Sequence, residues 1–127
     1  MKYVRIVLRI LLCLVLLIPV LGTLGVFPEP TAEFYTPSGW AFMSALMAAG
    51  YMMPLLGILC AAVLVLTAMN KTALAAILLA PMTVNVIAFH AFVDTGLLHP
   101  AASLGIVLFL LNAFFLWDNR AKYKTLW

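Results

Sequence analysis

The chain has 127 residues, 67% of them hydrophobic and 9% charged, with a formal net charge of +3. Its mean hydropathy is +1.20. A soluble domain is about 45–50% apolar and about 25% charged, so this composition excludes a water-soluble globule and makes the lipid bilayer the expected solvent. The basic residues are split among three places beside apolar runs, which supports orientation in a membrane and gives no support to nucleic-acid binding.

A membrane-spanning helix needs about 20 apolar residues. The first such run is preceded by Lys2, Arg5 and Arg9, and a span is predicted over residues 4–27. Its apolar stretch exceeds the roughly 7–15 residues of a signal-peptide core, and no A-x-A site follows it. It therefore reads as a retained helix, although removal would leave three spans without upsetting the charge pattern. Pro19 removes a helical hydrogen bond and predicts a kink over residues 15–19.

The connection P-E-P-T-A-E-F-Y-T-P, residues 28–37, holds three prolines and is not a continuous helix. Phe34, Tyr35 and Trp40 suit a membrane interface. Thr36 followed by Pro37 predicts an N-cap with proline at the first helical position. The second span is predicted over residues 38–69, longer than a bilayer requires, so it tilts or its first turns stand above the membrane. Gly50, Pro54, Gly57 and Ala61 fall on one face, extended by Met43 and Met47, and predict a helix-packing seam. Cys13 and Cys60 lie inside spans without a C-x-x-C motif and read as small apolar packing residues.

Asn70-Lys71 is a short turn, with Asn70 expected to cap the third span over residues 72–93. Asp94-Thr95-Gly96 ends that span, and Pro100 opens the fourth, residues 100–117. Arg120, Lys122 and Lys124 follow in a basic-aromatic tail suited to the membrane surface. All seven Lys/Arg residues thus fall on one side of a four-span topology, whereas Glu29, Glu33 and Asp94 fall on the other. The expected fold is an all-α integral membrane four-helix bundle, a single domain. Both termini are expected to be cytoplasmic, in an inner (plasma) membrane.

The third span carries the unusual polar content, because amide and ionisable groups at membrane depth are costly and normally face a bundle interior or cavity. Helical geometry places Thr83, Ile87, His90 and Asp94 on one stripe, and Asn85 about 140° around from His90. Asp94 could orient His90, and the pair could relay protons or hold the polar head of a quinone or lipid-like ligand. The alternative is a satisfied structural contact, with Asp94 a helix-end residue in water. Asn85 and Asn112 read foremost as interhelical glue, through an Asn85–Asn112 or His90–Asn112 bridge. Tyr51 could offer its hydroxyl to the same cavity. The candidate ligand-binding set is therefore His90, Asn85, Asp94, Asn112 and Tyr51. No catalytic set, metal site or haem-binding pair is expected, since His90 and His99 flank one connection and no catalytic motif is present.

The run L-L-A-P-M-T-V-N-V-I-A-F-H-A-F, residues 78–92, resembles the third helix of DoxX-like membrane proteins, with Pro81, Asn85, Phe89 and His90 at the characteristic positions. The segments A-A-G-Y-M-M-P-L and N-R-A-K-Y-K-T-L-W are similar to that family too. The likeness covers most of the chain and is sharp over about fifteen residues. It implies an accessory subunit of a quinone-linked oxidoreductase or a small hydrophobic-ligand-binding protein, with a bound quinone or lipid but no other cofactor. The other class of function is a non-catalytic assembly partner acting through helix contacts, with a membrane subunit or a second copy. Two positions depart from the family: Cys60 stands where an acidic residue is frequent, and residues 22–27 carry no charge. Both departures remove polar partners that a redox or proton-coupled activity would use.

Overall fold

The computed structural model describes residues 1–126, in which every regular element is helical. Helix α1 spans Lys2–Thr23, α2 Pro37–Ala48, α3 Met52–Ala68 and α4 Thr72–Ala88, the last continued by a π turn, Phe89–Val93. Helix α5 spans Ser103–Asp118, and a short α6, Arg120–Tyr123, follows it. By length and composition three segments can cross a membrane: Lys2–Thr23, Thr72–Val93 and Pro100–Asp118.

The second predicted span is not one helix. Helices α2 and α3 pass the same test only together, and they are bent by 86°. Pro54 explains the position of the break: in a continuous helix it would lack a hydrogen bond to the carbonyl of residue 50 and its ring would clash there. Residue 50 is glycine, which takes φ +76° and redirects the chain. The surplus length becomes a separate helix, so Met43 and Met47 do not extend the seam of Gly57. Alone, α3 has 17 residues, about 25 Å at 1.5 Å per residue.

Helix ends follow local chemistry. Gly25 has φ +77°, with its N–H bonded to the Gly22 carbonyl and that of Val26 to the Leu21 carbonyl. Asn70 repeats this arrangement after α3, at φ +61°, with Asn70 and Lys71 N–H groups bonded to Thr67 and Leu66. Both are Schellman terminations. Asn70 therefore ends the preceding helix, and the N-cap of α4 is Lys71 without a side-chain bond. Thr36 caps α2 as expected, accepting from the Gly39 N–H at 3.1 Å with Pro37 at the first position.

Helix α1 packs along α3, α3 against α4, and α4 against α5. Leu12, Leu16, Val63, Leu79, Leu108, Leu111 and Phe115 form the core. Small residues set two close approaches. A Cβ on Gly57 would collide with the Thr23 side chain, and one on Gly105 would lie 2.6 Å from a Val86 methyl. The outer surface is equally apolar: Ile58 is 67% exposed, Leu110 60% and Phe92 88%. Such a surface has no favourable solvent in water but matches lipid tails, against which interior packing rather than hydrophobic burial holds helices together.

The two ends differ in chemistry. At one end Arg5 donates to Asp118 Oδ1 through Nε (3.0 Å) and Nη2 (2.7 Å), joining the start of α1 to the end of α5. Asn119 donates to Thr72 Oγ1 at 3.2 Å, and the Tyr123 hydroxyl to the Ala73 carbonyl at 2.9 Å. Arg120, Lys122, Lys124 and the Lys71 turn belong to this same end. At the other end, the start of α2 meets the end of α4.

Candidate functional site

Where α2 meets α4, the sequence T-P-S-G supplies both a helix N-terminus and the absence of a side chain. Thr36 donates its N–H to Asp94 Oδ1 at 3.0 Å, with its hydroxyl 3.2 Å from the same oxygen. The Ser38 hydroxyl donates to the Val93 carbonyl, one of the groups a helix end leaves without an internal partner. Gly39 is buried against the carboxylate, and a Cβ there would overlap the Asp94 oxygen. The Asp94 side chain is only 1% exposed, so it is not a helix-end residue in water. Burial pushes its carboxyl pKa up. The main-chain donors of Thr36 and Thr95, the Thr36 hydroxyl and the neighbouring His90 outweigh that and hold it below the ordinary carboxylate value. The positive end of the α2 dipole works in the same direction.

His90 lies one turn deeper, in the π turn whose last bond runs from the Asp94 N–H to the Phe89 carbonyl at 3.0 Å. Its Nδ1 is 3.6 Å from Asp94 Oδ2, an ion-pair distance if the ring is protonated but outside hydrogen-bonding range. Nδ1 is buried and has no hydrogen-bond partner. The ring meets Phe89 edge-on at 5.2 Å, and Phe89 in turn contacts Phe42 at 5.4 Å and Tyr35 at 6.3 Å. Tyr35 also stacks near Trp40 at 6.0 Å. Burial, then the Asp94 charge, pushes the Tyr35 phenol up. Phe89 thus lies between His90 and the rings of Tyr35 and Phe42.

The other predicted site residues are elsewhere. Asn85 is exposed on the outer face of α4, as is the adjacent Val84, which is 58% exposed. Neither expected bridge forms. Asn112 instead donates to Thr83 Oγ1 at 3.2 Å, joining α5 to α4, while its Oδ1 is buried without a partner. Tyr51 stands at the α2–α3 break, 65% exposed. Only His90 and Asp94 of the five come together. Thr36, Ser38 and Gly39 are the residues that sequence reasoning missed. The Thr36 cap was visible, but its reach to Asp94, 58 residues away, was not.

Cys60 is buried with its sulfur 3.6 Å from that of Met82, and Cys13 is half-buried. His99 Nδ1 accepts from the Ala101 N–H at 3.2 Å, capping the turn that begins at Pro100. Among the described residues no group of three His, Cys, Asp or Glu side chains could hold a metal ion. No protein-family model matches this chain, and no curated protein or solved structure does.

Proposed function

We propose that the chain is a multi-pass inner-membrane protein acting as a non-catalytic accessory or assembly subunit, built as a four-helix bundle with both termini cytoplasmic. Its partner is a membrane subunit, and the DoxX-like likeness makes a quinone-linked oxidoreductase the partner class to test. The observation that carries this reading is the placement of Asn85. Asp94, Asn112, Thr67 and Thr83 all make hydrogen bonds within the chain. The amide of Asn85, midway along a 22-residue apolar segment, faces outward. An amide facing lipid is costly, and a hydrogen bond to another spanning helix is worth about 1 kcal/mol. Helix α4 offers that partner a continuous outer face of Leu74, Ile77, Pro81, Val84 and Asn85.

Native mass spectrometry of the detergent-extracted protein tests the proposal. The wild type should retain a membrane partner, which Asn85→Leu should release and Asn85→Gln partly keep. Equal retention by wild type and Asn85→Leu would remove the reading.

The second reading is a binding site for a small hydrophobic ligand, a quinone or lipid, at His90. It is favoured by the buried Nδ1 without a partner and by the edge-on packing of the ring against Phe89. Organic extraction should then recover a stoichiometric small molecule that is lost in His90→Ala and retained in Asn85→Leu.

A further inference from the structure

The basic end holds a cleft of about 320 Å³ lined by Lys2, Arg5, Arg9, Asn70, Thr72 and Asp118. Three cations and one acid meet there. The acid is already committed, because Asp118 takes both Arg5 contacts on one oxygen. Among the described residues this is the one Lys/Arg–carboxylate ion pair, so Lys2 and Arg9 face the cleft without a counter-ion. They sit at i and i+7 of α1 with Arg5 between them, a spacing that stacks all three on one helix face.

Arg9 is the telling member. It lies about 10 Å further along the helix axis than Lys2, is half-buried, and is followed by no charged residue to the end of the helix. An arginine at that depth is costly unless its head reaches the headgroup layer or meets an anion. The opposite wall suits an anion as well. Thr72 is the first residue of α4, where the helix presents the positive end of its dipole. Its hydroxyl oxygen accepts from Asn119 and keeps its own proton to donate. Across the Arg5–Asp118 pair a second cleft, of about 380 Å³, adds Arg120 and Lys124.

We propose that this cleft binds the phosphate headgroup of an anionic phospholipid, with Lys2 and Arg9 facing the phosphodiester and Thr72 donating to it. A basic pocket between spanning helices at the cytoplasmic surface matches the headgroup layer in depth and charge. This rests on the membrane reading above, but not on the partner assigned to Asn85.

The test reconstitutes the full chain in nanodiscs of phosphatidylcholine containing phosphatidylglycerol and counts retained lipid by native mass spectrometry. Carbonate extraction of membranes is run beside it. The wild type should retain phosphatidylglycerol over phosphatidylcholine. Each cation near a membrane surface is worth about 1 kcal/mol, so Lys2→Gln with Arg9→Gln should lower retention about 30-fold. Lys122→Gln, which removes a cation from the same end outside the cleft, should leave retention close to wild type. Equal loss in Lys122→Gln, or no preference between the lipids, would overturn the site while leaving the membrane reading intact. Displacement of the lipid by millimolar inorganic phosphate would overturn the lipid assignment in favour of a free-anion site. Release of the protein by carbonate would overturn both.

Discussion

At the residue scale, the contact between Asp94 and the start of α2 decides the chemistry of the acidic end. The Thr36 and Thr95 donors and the neighbouring His90 favour the ionised form of this carboxylate. Its folded pKa lies below its unfolded value. It therefore stabilises the fold above the unfolded carboxylate pKa of about 3.9, and that contribution is lost as pH falls through the lower folded value. Thermal melts in detergent should show wild-type stability declining below about pH 4, and Asp94→Asn should start lower at pH 7 and lose that part of the acid dependence. Gly39→Ala is expected to destabilise by about 1–3 kcal/mol, the usual cost of overpacking, because its methyl would displace the Asp94 oxygen. An unchanged melting temperature would mean that α2 simply slides away.

Part of this was legible. The stripe Thr83–His90–Asp94 does turn inward, and Asn85 does lie on a different face, as helical periodicity requires. Periodicity assigns residues to faces but not faces to neighbours. It could not say that the face of Asn85 is left open, or that Thr83, rather than Asn85 or His90, meets Asn112.

At the element scale, the break between α2 and α3 is the main departure from expectation. Gly50 and Pro54 were visible at i and i+4 and suited a small-residue seam. The same spacing is the one at which proline clashes with a carbonyl one turn back. Gly50 has open space around it, so Gly50→Ala tests backbone conformation alone. It should cost about 1–2 kcal/mol, the penalty for a left-handed L-residue, measured as a lower melting temperature without loss of packing. Gly57 is the opposite case. Its φ is ordinary, but Thr23 occupies the place of a side chain. Gly57→Leu should force α1 from α3 and abolish a cooperative melt, whereas Gly57→Ser should give a partial loss. The terminations at Gly25 and Asn70 and the cap at Thr36 followed local rules. Asn70 ends α3 rather than capping α4, because asparagine suits both an N-cap and the left-handed conformation.

At the scale of the whole molecule, the chain has an apolar waist, a basic end closed by Arg5–Asp118 and an acidic end closed by Asp94. The apolar waist was fully legible in composition, and the polarity of the ends in the order of the charges. What the sequence could not supply is the pairing of segments: α1 with α3, and the tail with the start of α4 through Tyr123. The two ends should stand on opposite faces of a bilayer. Cysteine labelling in intact cells with a membrane-impermeant maleimide measures this directly, with Cys13 and Cys60 replaced by serine or alanine. Glu33→Cys should label from outside without permeabilisation, and Lys122→Cys only after it. Labelling of both positions from the same side would contradict the account.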